Sequence, residues 1–365
     1  KWLPSRPGLF YEGRIYSLTP LDILFRFRPL GYLDRIRLGF VMLYLQRKRE
    51  WRHFEHVTAS EWISRYAGKR VFDVMWGPLL RGKYGDRMDE VAMVWFWNKV
   101  HLRGKSRSKG LQQELLGYID GSWQVLIDAL ERSIRDRGGE IHTGARVSQV
   151  LHRDGRVEGL EVDTGEGARI EAFDRVVATV PSYAFARLVP DMPEGYRRLL
   201  LGMSYQAVQC LTLITRRPLT DVYWLSIADR SMPFVGVIEH TNFIPPKVYG
   251  GRHILYLSSY LPAEDRLYHL TRDELIAEYT PHLRRINPEW DPDWIEEALL
   301  FRDASGQPVI TLDYSARIVP HRTPISGLYL ANTTQIYPED RGTNYSARIG
   351  DQVARLMLGD ATGGG

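Results

Sequence analysis

The last forty residues constrain this chain most. A short apolar run, Gly327-Leu328-Tyr329-Leu330-Ala331-Asn332, leads through a polar turn into Gly342-Thr343-Asn344-Tyr345 and a closing helix. Residues 328–331 are apolar enough for a strand buried on both faces, which is how strands of helix-covered parallel sheets read. Gly350, Val353, Ala354 and Met357 then recur at helical spacing, and the small residues among them would let a helix pack close to a sheet. Thr343 and Asn344 are both competent N-caps, so the free N–H groups and positive dipole end of this helix would face the loop after the strand. An anionic or electron-rich group can be held at such a place. A plain strand-loop-helix closing an α/β domain reads the same way, so the rest of the chain has to decide.

The middle of the chain supplies a matching piece. Tyr118-Ile119-Asp120-Gly121-Ser122-Trp123 precedes an amphipathic helix over 125–137 that stops at Gly138-Gly139. A strand over 140–142 follows, and 144–150 runs into a hairpin over 150–162 turned at Asp154-Gly155, a dipeptide suited to a two-residue hairpin turn. After Thr164-Gly165-Glu166-Gly167 the chain rises again in Asp174-Arg175-Val176-Val177-Ala178-Thr179-Val180-Pro181. In this order the segments resemble the FAD-dependent amine oxidase, protoporphyrinogen oxidase and phytoene desaturase superfamily. Its members carry a Gly-rich entry to this helix, a Gly-Gly exit, a V-x-x-V/I strand, a small β-meander and a D-x-V-V-x-A-x-P strand. They close with G-L-Y-L-A-G-D and a helix under the flavin. The likeness is good over 105–190 and 320–360 and loose between.

The resemblance implies an α/β, two-domain flavoenzyme fold: a Rossmann-like FAD domain lacking its first βαβ unit, with a mixed-sheet and helical substrate domain. The expected domains are discontinuous: a helical substrate or cap domain over 1–104, FAD-binding parts over 105–190 and 323–360, a mixed-sheet substrate part over 191–322, and a tail over 361–365. By resemblance the FAD-binding residues are Val147, whose backbone would pair with the adenine edge, and Asn332, Gly342, Thr343, Asn344 and Tyr345 at the flavin end. Two departures matter. Ala331-Asn332 stands where the family usually has Gly-Asp, so an amide replaces a carboxylate expected near the ribityl chain and pyrophosphate; Asn can still donate and accept. No G-x-G-x-x-G follows a strand, since Gly165-Glu166-Gly167 continues as Ala168-Arg169-Ile170 and lies in a meander turn. With Lys1 rather than Met at its start, the expectation is an N-terminally truncated copy without the βαβ unit that would hold the pyrophosphate, inactive on its own.

Composition is that of a chain with room for two substantial cores, at 365 residues and 44% hydrophobic. The single cysteine, Cys210, excludes an intrachain disulfide and a cysteine-rich metal site, and its apolar surroundings read as those of a buried structural thiol. A net charge of +4 with scattered arginines argues against a nucleic-acid groove. Near the N-terminus, 9–16 reads as a hairpin turned at Glu12-Gly13, followed by helices over 20–27 and 33–49. The second helix mixes Ile36, Leu38, Phe40, Val41, Leu43 and Leu45 with Arg35, Arg37, Arg47, Lys48 and Arg49. It reads as a substrate-domain helix packing inward, with contact to a membrane surface through 33–49 as the alternative; its apolar run is too short to span a bilayer, and no signal peptide is visible. A cytoplasmic location, with peripheral membrane contact as that alternative, is expected.

Thr58-Ala59-Ser60-Glu61 is a capping box for a helix over 61–66. Residues 72–75 and 92–100, with Trp95, Phe96 and Trp97, complete an aromatic helical layer that in the related flavoenzymes caps the substrate cavity, while 77–84 reads as a loop at its entrance. Strands over 208–214, 222–227, 234–239 and 253–260 imply a mixed or antiparallel sheet, and Thr271-Arg272-Asp273-Glu274 opens a helix to about Arg285. No Gly-x-Ser-x-Gly elbow, His-Glu-x-x-His site or Walker loop is present, the ten histidines are dispersed, and no metal site is expected. A flavin supplies the difficult chemistry itself, so no catalytic residue is assigned.

Many amine oxidases of the superfamily place a lysine near flavin N5. After Lys109 the only lysine here is Lys247, in a loop, which disfavours the amine oxidase subtype. The expected function is therefore an FAD-dependent oxidoreductase of the protoporphyrinogen oxidase or desaturase kind, taking hydride from a hydrophobic or ring-bearing small molecule. A redox-neutral flavoenzyme resembling UDP-galactopyranose mutase is the alternative, since Gly13-Arg14-Ile15-Tyr16 is similar to the G-K-x-Y strand of that group. A non-catalytic fragment is the third reading. Neither the substrate, the electron acceptor nor the oligomeric state follows from the residues.

Overall fold

A computed structural model describes residues 1–105, 115–165 and 167–362. Glu166, residues 106–114 of the expected FAD-binding part, with Lys109 among them, and residues 363–365 of the tail lie outside the described residues. The chain divides into two compact units, one formed by Lys1, Tyr118–Ser204 and Asp313–Gly365, the other by Trp2–Gly117 and Tyr205–Leu312. These divisions fall at 117/118, 204/205 and 312/313, 10 to 14 residues away from the 104/105, 190/191 and 322/323 expected from the sequence.

The larger unit is built on a seven-stranded mixed sheet. Its order is Ile295–Pro308, Tyr205–Thr215, His253–Leu261, Gly236–Glu239, Trp224–Ile227, Pro7–Tyr11 and Arg14–Ser17. Every neighbour is antiparallel except Trp224–Ile227 against Pro7–Tyr11. The hairpin joining the last two strands turns at Glu12 (φ 48°) and Gly13 (φ 74°), the positive pair that matches the twist of its strands. Phe10, Leu211, Leu213, Leu225, Leu255 and Leu257 supply the sheet side of a core, and Leu275, Tyr279 and Leu283 of the helix Arg272–Ile286 supply the other side. That helix opens on the expected capping box, Thr271 with Glu274. Cys210 is half-buried in the sheet, and burial pushes its thiol up from the ordinary value, as a structural thiol requires.

The helical layer contains Tyr32–Arg47, Ala59–Tyr66 and Met93–Lys105. Trp95, Phe96 and Trp97 are all buried; Trp95 meets the Tyr84 ring edge-on at 5.2 Å, and Trp97 Nε1 donates to the Lys48 carbonyl at 2.9 Å. They are core. The entrance loop expected over 77–84 is instead the helix Gly77–Tyr84 with Pro78 in its first turn. Its glycines mark close packing rather than flexibility: a Cβ on Gly77 would meet the Phe72 carbonyl oxygen at 3.0 Å, and one on Gly82 would meet Val235 Cγ1 at 2.7 Å.

The smaller unit holds an antiparallel meander, Arg146–Arg153, Arg156–Asp163 and Ala168–Ala172, and a parallel pair, Val176–Ala178 with Leu328–Leu330. Asp154 (φ 52°) and Gly155 (φ 72°) turn the first hairpin as expected. The strand expected over 140–142 does not form: a strand needs a neighbour for its ladder, and no described strand pairs with these residues. The preceding helix, Gln124–Arg135, ends before Gly138 (φ 78°).

Candidate functional site

Two parallel strands deliver the site. Leu328, Tyr329 and Leu330 are buried on both faces, so the apolar run acts as the interior strand its composition calls for. The chain enters it through Gly327 at φ 81°, where a Cβ would meet Val157 Cγ1 at 2.7 Å and the Asp174 carbonyl oxygen at 2.8 Å. Only glycine fits there. Leu328, Tyr329 and Leu330 pair with Val176, Val177 and Ala178, and Ala331 N–H donates to the Ala178 carbonyl at 2.9 Å. Both strands therefore end together, and in open α/β sheets ligands gather outside the carboxyl ends of parallel strands.

Asn332 joins those two ends. Its Nδ2 donates to the Val180 carbonyl at 3.0 Å and to Ser182 Oγ at 3.2 Å, while its Oδ1 accepts from Thr334 N–H at 3.0 Å and Thr334 Oγ1 at 2.7 Å. Gln335 returns its Oε1 to Asn332 N–H at 2.8 Å and donates its Nε2 to the Val319 and Leu330 carbonyls. This is a capping box on the single turn Thr333–Gln335. The amide's donors and acceptor are spent within the protein, so Asn332 holds the loop rather than reaching outward. A carboxylate has no donor for the Val180 carbonyl, which is a physical reason for Asn at this position. Ser182, Thr334 and Gln335, all buried, were not picked out from the sequence, although Asn332-Thr333-Thr334-Gln335 carries the capping-box pattern.

The closing helix is Thr343–Thr362, so Gly342 rather than Thr343 or Asn344 sits at its N-cap position. The Gly342 carbonyl accepts from Tyr345 N–H at 3.0 Å and Ser346 N–H at 2.9 Å. Thr343 and Asn344 are exposed at the helix end, the first turn has no acidic residue, and the first N–H groups of a helix have no partner within it. Tyr345 packs into the core beneath, against Tyr329, Ala331, Ile336, Ile349 and Val353. Arg348 lies over the Tyr345 ring at 4.9 Å and forms a two-pronged pair with Glu339 at 2.8 and 2.9 Å; that guanidinium holds the Glu339 carboxyl below the usual range. At the far end Asp360 accepts from Arg322 and from Tyr329 Oη, which keeps its carboxyl down at about 2. The buried seam runs through Ile349 and Val353, with Leu356 and Met357 at its edge. Gly350 and Ala354 are exposed, contrary to the expected small-residue face, because the face packed on Tyr329 and Ala331 is the one that carries Tyr345, Ile349 and Val353.

Val147 lies apart from this cluster, half-buried on Arg146–Arg153, the edge strand of the meander. It pairs with Val162 just before a bulge at Ser148. An edge strand keeps one side of its backbone unpaired, so the position suits backbone recognition. The smaller unit thus presents an exposed helix end at Thr343 and Asn344, where a Cβ on Gly342 would meet Asn344 Oδ1 at 2.9 Å, and an open strand edge at Val147. Among the described residues no group of three or more His, Cys, Asp or Glu side chains could hold a metal ion. In the larger unit Lys247 is exposed on the turn Pro246–Tyr249. An open cleft in the same unit has both charged lining, from Arg65, Arg81, Arg230 and Asp89 among others, and apolar lining from Phe72 and Met88.

The family model described as flavin containing amine oxidoreductase matches residues 5–338. Flavin is thus the cofactor that the family's description carries, as expected. A 4,4'-diaponeurosporene oxygenase from Staphylococcus aureus (strain USA300) is 35% identical over 74 residues, 20% of this chain and 15% of that protein; the match spans under a sixth of that relative's length. Among solved structures, a candidate protoporphyrinogen oxidase from Exiguobacterium sp. 255-15 superposes with a TM-score of 0.71 at 17% identity, covering 98% of this chain and 81% of that one. A reduced UDP-galactopyranose mutase gives 0.66 at 13% identity, covering 98% and 79%. At these identities the likeness is one of fold, and the expected α/β two-domain flavoenzyme architecture is the fold observed.

Proposed function

The chain belongs to the flavin-containing amine oxidoreductase family, and we propose that it serves as an FAD-dependent oxidoreductase taking hydride from a hydrophobic or ring-bearing small molecule and passing the electrons to oxygen or another acceptor. The family match over 5–338 carries this reading. When bound, the flavin supplies the hydride-accepting chemistry; the chain's own residues bind and orient it. In this proposal the N–H groups of Thr343 and Asn344 face the pyrimidine edge, the Val147 backbone pairs with the adenine edge, Gly342 gives the tight entry to the helix beside Asn344, Tyr345 anchors the helix end, and Asn332 fixes the loop after the two parallel strands. An exposed Lys247 supports a substrate other than an amine. The names of the two oxidising relatives, a protoporphyrinogen oxidase and a diaponeurosporene oxygenase, support the same class of substrate.

Anaerobic mixing of the protein and saturating FAD with two donor classes tests this. Conjugated apolar donors are expected to bleach the flavin, and primary amines are not. Bleaching by amines alone would overturn the substrate class. Turnover that needs prereduced flavin and consumes no oxidant would replace oxidation with a redox-neutral reaction.

A further inference from the structure

The helices near the N-terminus carry apolar side chains on two opposite sides, and only one side is covered. Phe27, Leu30, Leu38 and Leu45 are buried within the larger unit. Across the helices Pro20–Phe25 and Tyr32–Arg47, Leu33 is 80% exposed, Phe40 70%, Phe25 68% and Tyr32 63%, with Leu21 and Leu43 beside them. A helix apolar all round belongs where every side is covered, and so large an outward apolar patch marks an interaction surface.

Charge identifies what covers it. Residues 20–49 hold seven Arg or Lys and two Asp, a net +5, whereas the whole chain is +4; the excess positive charge of the protein is concentrated here. Arg35 and Arg37 are spent on the carbonyls of Leu24, Leu30, Arg65 and Tyr66, and Arg26 pairs with Asp22. Arg28, Arg47 and Arg49 are exposed, and no ion pair engages them among the described residues. The other exposed apolar face, on Gln124–Arg135 with Val125, Ile127, Leu130 and Ile134 outward, lacks this signature: the acidic and basic residues of 124–137 balance, and Arg135 is paired with Glu131.

We propose that the face formed by Pro20–Phe25 and Tyr32–Arg47 docks this protein onto the surface of an anionic lipid bilayer, with Phe25, Leu33 and Phe40 entering the interface and Arg28, Arg47, Lys48 and Arg49 meeting the headgroups. An apolar patch rimmed by cations is the pattern of an interfacial anchor. No helix among the described residues is long and apolar enough to cross a membrane, so the contact is one of lying on the surface.

Vesicle co-sedimentation tests it on the whole chain, using phosphatidylcholine with and without phosphatidylserine. Each basic residue near an anionic surface is worth roughly a fivefold change in partition. The wild type should prefer phosphatidylserine vesicles by about tenfold or more, and raised salt should remove the preference. Leu33→Ser with Phe40→Ser should cost about tenfold or more, and separately Arg47→Glu with Lys48→Glu and Arg49→Glu should cost about a hundredfold or more on phosphatidylserine vesicles, with circular dichroism unchanged. Val125→Ser with Leu130→Ser should leave partition as it was. Equal binding by all variants, an equal loss in the Val125/Leu130 control, or a self-associated wild type that the Leu33/Phe40 variant turns monomeric without any vesicle binding would overturn the proposal.

Discussion

The purified 365-residue chain should carry far less than one FAD per molecule and take up added FAD only weakly. No G-x-G-x-x-G occurs in the sequence, and the parallel sheet of the smaller unit has two strands among the described residues. A dinucleotide's pyrophosphate is normally held by such a turn and the helix N-terminus behind it. Two or three charge-assisted hydrogen bonds at roughly 1.5–3 kcal/mol each would be missing, enough to move a nanomolar site into the micromolar or millimolar range. In the proposed arrangement the helix end at Thr343 and the strand edge at Val147 would supply the residual affinity. Absorbance of the purified protein and a fluorescence titration with FAD measure both quantities. Yellow protein with near-stoichiometric FAD would mean that these residues hold the pyrophosphate by themselves.

The second large effect is expected from Asn332→Ala. Truncation leaves the Val180 carbonyl and the Thr334 N–H without their partner inside a closed network, and each buried group so orphaned costs about 1–3 kcal/mol. Exchange of the backbone N–H groups over 328–336 and at 178–180 and 182 should then accelerate by roughly 30- to 1000-fold, following a local loss of about 2–4 kcal/mol. The acceleration should appear with no FAD added, because Asn332 acts by tying together two strand ends. Exchange that changes only when FAD is present would make Asn332 a direct ligand instead. Weaker FAD retention should accompany the loosened loop in either case, so the exchange measurement without cofactor separates the two.

Features set by local chemistry were legible in the sequence. Glu12-Gly13 and Asp154-Gly155 are turns in which positive φ favours the glycine of each pair and Asp154, the Thr271 cap works through a residue three positions away, and the Leu328–Leu330 run is a strand because few other structures bury every side chain of a short segment. Features set by tertiary partners were not. The expected strand over 140–142 lacks a neighbour to pair with, and Gly77 and Gly82 look like loop residues until Phe72 and Val235 are placed against them. At the site, the strand-loop-helix and the N-terminus of its helix could be read directly. The role of Asn332 could not, since its partners Val180 and Ser182 lie some 150 positions away.

The central claim is that a flavin meets the helix end at Thr343 and Asn344, and the ratio of affinities for reduced and oxidised FAD tests it most directly. The pyrimidine edge gains negative charge on reduction, and a helix N-terminus stabilises such a charge by about 0.3–1 kcal/mol when exposed and up to about 2 when partly buried. Asn344→Asp places a carboxylate against that edge. Anaerobic titrations of the wild type and Asn344→Asp with both forms of FAD should show the preference for reduced FAD falling by roughly 2- to 30-fold in the variant. A ratio unchanged by Asn344→Asp, with FAD still bound, would place the flavin elsewhere and contradict the account.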